Sequence, residues 1–185
     1  MLLYDVLKKS NKGFTLVEML AALVIVGIIA ALAVPNLLGM LNQTRVKDGL
    51  GQVEGAIREA QKLARRKGQA CRIRFTTNAA GNSIVQIAPD DGTTSFSGCL
   101  LSNRELKDSV SFDLLVGDSL VDIDSTNPIE LTFSSKGNPD NQRIMVISHE
   151  QTPTTQKCIQ IQGLLGGILT GNYNADAETN KCEAQ

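Results

Sequence analysis

His149 is the single histidine in the chain, so no site that needs two or more imidazoles can be built here. Its neighbour Glu150 offers a nominal acid–base pair. Adjacent residues on a strand point to opposite faces, however, and His149 reads as a surface histidine. Neither G-x-S-x-G nor another positioned nucleophile is present, which leaves Ser-His-Asp chemistry without its centre. The four cysteines, Cys71, Cys99, Cys158 and Cys182, form no C-x-x-C pair, and with one histidine they do not suit zinc. Asp118, Asp122 and Asp124 supply hard oxygen donors of the kind calcium prefers. They match no calcium-loop signature and read as a solvated acidic edge, while Asp90-Asp91-Gly92 reads as a turn. No metal and no cofactor is expected, and the chain is not expected to be an enzyme.

Glu18 is the residue that stands out. It is the one charged group among 28 positions from Phe14 to Leu41, in a run of Leu, Val, Ile and Ala. A carboxylate inside an apolar layer costs about 2.5–3.5 kcal/mol by insertion scales unless it is paired, and such groups are functional candidates by default. The plainer reading is that Glu18 sits near a helix start, complements the dipole and reaches headgroup water.

The elements that must position Glu18 follow from the same run. At 1.5 Å per residue it makes about 40 Å of helix, more than the roughly 20 residues a bilayer core requires. Lys8, Lys9 and Lys12 precede it against one acid, Asp5, so the leader stays cytoplasmic and the rest of the chain lies outside. No small-residue cleavage site of an ordinary secretory signal follows the run. Instead Val46, Leu50, Val53, Ile57, Ala60 and Ala64 continue in helical rhythm. Arg65, Arg66 and Lys67 then make a cationic last turn before Gly68, a left-handed cap. One helix is expected from about Phe14 to Lys67, with Pro35 and the glycines at 27, 39, 49, 51 and 55 as weak points.

Beyond position 68 the rhythm changes to short β-branched runs separated by turns. Cys71–Phe75 and Ser83–Ile87 flank Asn78-Ala79-Ala80-Gly81-Asn82 and read as a hairpin. Further strands are expected at Val110–Val116, Leu120–Ile123, Ile129–Phe133, Arg143–Ser148, Cys158–Gln162 and Gly167–Thr170. The fold class is therefore α+β, with a long N-terminal helix packed on an antiparallel β-sandwich. The organisation is a basic leader at 1–13, a membrane-spanning helix at 14–41, its amphipathic continuation at 42–68 and an exported β-rich domain at 69–185. Four cysteines on the exported side favour oxidation. They permit three pairings, and free or partly paired thiols are a further alternative. Cys71 with Cys99 and Cys158 with Cys182 is preferred because each bridge closes a local segment.

The stretch Gly13-Phe14-Thr15-Leu16-Val17-Glu18, after a basic leader and before an apolar helix, closely resembles the type III signal of type IV pilins and type II secretion pseudopilins. The resemblance covers about 30 residues and implies a structural subunit. It implies that prepilin peptidase cuts between Gly13 and Phe14 and that the Phe14 amine is methylated. It also makes Glu18 the buried glutamate of assembly, and it puts Pro35 where these proteins often carry a helix-breaking proline. The chemistry agrees: a methylated amine keeps its proton, and Glu18 lies about 6 Å further along the axis. Pairing Glu18 with the Phe14 amine of a neighbouring subunit neutralises both charges and sets the stagger between helices.

A second resemblance lies in Ile129–Phe133, the turn Ser134-Ser135-Lys136-Gly137, the strands that follow and the glycines at 163, 166 and 167. This order is similar to the minor branch that contains the H-type pseudopilins and the FimT-like pilins. The branch's late G-R-[IV] element is degenerate, because Leu164 and Leu165 follow Gly163 and no arginine occurs after Arg143. The expected function is a minor pilin or pseudopilin anchored by a single pass in the inner membrane, its C-terminal domain periplasmic. Its partners are then prepilin peptidase, other pilin subunits and the assembly platform. The alternative is a DNA-binding minor pilin of a competence system. Residues 69–185 carry 8 Lys or Arg against 14 Asp or Glu, which opposes binding to phosphate.

Overall fold

The structure is a computed structural model that describes residues 13–90, 92, 95–96, 98–107, 109–163, 166–177 and 181–184; within the helix, the side chains of Leu32, Ala33, Pro35 and Asn36 are also outside the described set. The leader expected at 1–13 is thus described only at Gly13, and Asp91, Leu164 and Leu165 lie outside the described residues. The chain divides into two compact units between Gly39 and Met40.

Helix α1 (Leu16–Lys67) runs through Pro35 without interruption. Thr15 caps it: its Oγ1 accepts the Glu18 N–H at 3.3 Å and its carbonyl accepts the Met19 N–H at 3.2 Å. At the other end Gly68 adopts φ +64° and the Gln69 N–H reaches back to the Ala64 carbonyl, a glycine-capped end behind three basic residues.

Ten strands follow among the described residues, in two antiparallel sheets. The smaller sheet contains β1 (Cys71–Thr77), β2 (Ser83–Ile87), β3 (Arg104–Glu105) and β6 (Ile129–Phe133), in the order β3-β2-β1-β6. The larger contains β4 (Val110–Val116), β5 (Ser119–Asp122), β7 (Arg143–His149), β8 (Lys157–Gln162), β9 (Gly167–Tyr173) and β10 (Cys182–Ala184), in the order β10-β9-β8-β7-β4-β5. The β1–β2 hairpin has the expected turn, in which Asn78 Oδ1 accepts the N–H groups of Ala80 and Asn82. Each strand expected from alternation is present. β3 and β10, of two and three residues, are additional.

One core joins the helix to both sheets. Val46, Val53, Ile57, Ala60 and Ala64 of α1 are fully buried against Ile73, Phe75, Phe112, Leu131, Phe133, Met145, Ile147, Ile159 and Ile161. Phe75 of the smaller sheet meets Phe112 of the larger edge to face, centroids 5.6 Å apart, a geometry worth about 0.5–1.5 kcal/mol beyond area burial. Gly49 is no weak point in this packing, because a Cβ there would stand 3.1 Å from Val110 and 3.5 Å from Leu106. The α+β architecture of a long helix on antiparallel sheets is therefore the observed one.

Both disulfides form in the local pairing, Cys71 with Cys99 and Cys158 with Cys182. The second holds β10 on the face of the larger sheet turned away from the core, where Val146 is also fully buried. Lys181, just before β10, places its ammonium 2.9 Å from Asp118 in the β4–β5 turn. A single ion pair thus links segments next to opposite edge strands of the six-stranded sheet.

Candidate functional site

Gly13 and Phe14 precede the first helical residue and are exposed, so the peptide bond between them is open to approach. From Phe14 to Ile29 every large apolar side chain is more than half exposed: Phe14 is 75% and Leu16 76% accessible. The pattern T-x-x-E at Thr15–Glu18 is a helix-start signature that the sequence already contains. The cap occupies the Glu18 backbone N–H and leaves its carboxylate without an ion pair or hydrogen bond among the described residues. That carboxyl group stands at the entry to an exposed apolar helix.

Among the described residues no helix is long and apolar enough to cross a membrane. The apolar run with described side chains, Leu16 to Ala31, is shorter than the roughly 20 residues required. The span expected at 14–41 includes the four helical positions whose side chains are not described.

Asp118, Asp122 and Asp124, the solvated acidic edge of the sequence, do not converge on one point. Asp118 pairs with Lys181, whose ammonium donates to it and holds its carboxyl below the usual range. Asp124 is held low by the Thr126 hydroxyl and by the backbone N–H groups of Asn127 and Thr126, and it serves a turn. Asp122 faces Asp113 across β4 and β5. No group of three His, Cys, Asp or Glu side chains suited to a metal occurs among the described residues. Asp90 accepts the Phe96 N–H in its loop.

His149 corrects the sequence reading, because it is 1% exposed. Alternation along β7 sets it on the face of Met145 and Ile147, which is the core face. Its Nδ1 accepts the Gln151 N–H at 3.1 Å, so the neutral ring carries its proton on Nε2, which has no partner among the described residues. Burial first, and then the charge of Arg45, push its pKa below the ordinary histidine value.

Two groups escaped the sequence reading. Gln61, buried on α1, donates its amide to the carbonyls of Gly137 and Gly166 at 3.0 Å each. It ties the helix to the two glycine turns of the second resemblance, and its signal was a polar residue beside Ile57, Ala60 and Ala64 on an otherwise apolar face. Asp113 is 9% exposed. Burial, and after it the Asp122 carboxyl opposite, raise its pKa to about 6. Nothing local marks it, since Asp113 stands at the outward position of an alternating strand. The basic end of α1 is exposed at Lys62, Arg65, Arg66 and Lys67, with Arg58 paired to Glu54 and Arg65 lying along Gly137.

Residues 8–34 match the model described as the prokaryotic N-terminal methylation motif. The chain is 34% identical over 117 residues to a type IV major fimbrial protein FimA of Dichelobacter nodosus, covering 57% of this chain and 74% of that protein. A second FimA from the same organism is 32% identical over 131 residues, covering 69% of this chain and 73% of that protein. Among solved structures, the type IV minor pilin FimU of Pseudomonas aeruginosa aligns with a TM-score of 0.45 and 11% identity over 77% of this chain and 95% of FimU. The minor pseudopilin EpsH of the Vibrio cholerae type 2 secretion system aligns with a TM-score of 0.38 and 14% identity over 67% of this chain and 95% of EpsH. With the methylation motif at its start and a third of its aligned residues shared over nearly three quarters of the fimbrial proteins, the chain belongs to the type IV pilin family.

Proposed function

We propose that this chain is a minor subunit of a type IV pilus or type II secretion pseudopilus and makes or breaks no bond itself. Segment 14–41 holds it in the inner membrane by a single pass, with the basic leader cytoplasmic and the disulfide-stapled domain periplasmic. Prepilin peptidase cleaves between Gly13 and Phe14, and the new Phe14 amine is methylated. Other pilin subunits and the assembly platform then take the helix into the fibre, with Glu18 paired to the Phe14 amine of a neighbour. The minor-subunit assignment rests on the order of strand, glycine turn and strands from Ile129 to Gly167.

The observation that carries the reading is the Glu18 carboxylate, partnerless within the described chain at the entry to an exposed apolar helix. Amino-terminal mass spectrometry of the mature protein tests processing, with a chain starting at methylated Phe14 expected. Glu18→Ala tests the pairing: membrane insertion should persist or improve while entry into fibres falls. A variant that enters fibres as well as wild type would show the pairing to be wrong.

A further inference from the structure

Asp113 and Asp122 stand directly opposite each other in the antiparallel β4–β5 ladder. Both line a cavity of about 270 Å³ that opens between the β1–β2 turn, the start of β4 and the end of β5. The charged groups facing it are Asp113 from β4, Asp122 from β5 and Glu150 from the segment after β7. The β1–β2 hairpin contributes Thr77, Asn82 and Ser83, and the Asn82 amide is held by Glu105, a further acid. Among the described residues no Lys, Arg or His lines the cavity. Like charges directly opposite on a ladder are destabilising, and a buried charge without a counter-ion is more so.

We propose that Asp113 and Asp122 form a proton-operated clasp for strand β5: one shared proton holds the strand to β4, and loss of that proton loosens it. β5 is where the strain is relieved, because all four of its residues are exposed and β4 is its one neighbour in the sheet. β4, in contrast, is fixed on its other side by β7 and carries Phe112 into the core. With the proton in place, one carboxyl donates to the other across the ladder and a single negative charge remains. Without it, two carboxylates oppose each other beside Glu150, and the Asp122 end of β5 swings toward water. The burial that raises the Asp113 pKa places this change near mild acidity. The clasp does not depend on the pilin reading, since it requires only the geometry of β4, β5 and the residues around them.

Global stability is a poor readout, because His149 titrates with the opposite slope. Hydrogen–deuterium exchange of the full chain in mild detergent resolves the local event, compared near pH 5 and near pH 7.5 after correction for intrinsic rates. Peptides containing Leu120, Val121 and Asp122 should lose protection by about tenfold or more at the higher pH, while peptides of β8 should not change. Asp113→Asn, which retains a donor but cannot ionise, should remove the difference and keep β5 protected throughout. Asp122→Asn, at an exposed position where folding is not at risk, should remove it as well. Equal protection of β5 at both pH values in the wild type overturns the clasp, as does a difference that survives in both variants.

Discussion

The side-chain amide of Gln61 donates at 3.0 Å to the carbonyl of Gly166, a residue 105 positions further along the chain. The same nitrogen donates to Gly137, so one buried side chain fixes α1 against two separate turns. Replacing Gln61 by Leu leaves both carbonyls without this donor, at about 1–3 kcal/mol for each buried group left unpaired. Thermal unfolding followed by circular dichroism should show a drop of several degrees, and Gln61→Glu should not restore it, because a carboxylate offers carbonyls no hydrogen.

The glycines of the second turn make a matched pair. Gly163 and Gly166 both have positive φ, +64° and +66°. Among the described residues nothing lies within 4 Å of a Cβ at Gly163, whereas at Gly166 it would meet the Gln61 amide at 2.5 Å and the Gly137 carbonyl at 3.1 Å. Gly163→Ala should cost about 1–2 kcal/mol for backbone alone. Gly166→Ala adds about 1–3 kcal/mol of overpacking and disturbs the Gln61 bonds. Urea midpoints should therefore fall further for the second variant.

Replacing Cys158 and Cys182 together by Ser should cost roughly 3 kcal/mol by the chain-entropy account. The loss should be local first, since β10 then loses its covalent tie to β8 and is left with a short ladder to β9, the Asn174–Glu183 hydrogen bond and the neighbouring Lys181–Asp118 pair. Limited proteolysis should cut between Asn174 and Cys182 in the variant well before the wild type. Peptide mapping without reductant should recover Cys71 joined to Cys99 and Cys158 joined to Cys182.

His149 predicts an acid-side loss of stability. Its folded pKa is lowered by burial, so the unfolded chain binds the proton more readily. The contribution is present above the ordinary imidazole value, about 6.5, and is lost as pH falls through the range below it. His149→Gln keeps an acceptor for the Gln151 N–H and removes the titration. The melting temperature of the variant should then fall less between about pH 7 and pH 5 than that of the wild type.

Periodicity carried most of the fold. Apolar spacing from Val46 to Ala64 marked the buried face of α1, and alternation in Cys71–Phe75 and Arg143–Ser148 marked the strands. The same alternation held the answer for His149, which follows Met145 and Ile147 on one face; the adjacent Glu150 drew attention instead. β3 and β10 were not legible, because two or three residues leave no period to detect, and their placement depends on a partner strand and a disulfide. Asp113 was hidden for a different reason. Its burial comes from β5 and from a turn near position 80, neither of which is visible in the seven residues of its own strand. At the chain's start, by contrast, a few residues carry the motif, since a charge in an apolar run needs no tertiary context to be noticed.

The Lys181–Asp118 pair bears on crowding. A free strand edge is a template on which the next molecule can extend a sheet, and copies held close together would polymerise through such edges. Here β10 is three residues long and disulfide-bound, β5 is four residues long with Asp122 at its end, and the ion pair ties the segments beside them together. Neither rim gives a second copy a long register to extend. Copies of the six-stranded sheet can therefore lie close together without fusing at either of its rims.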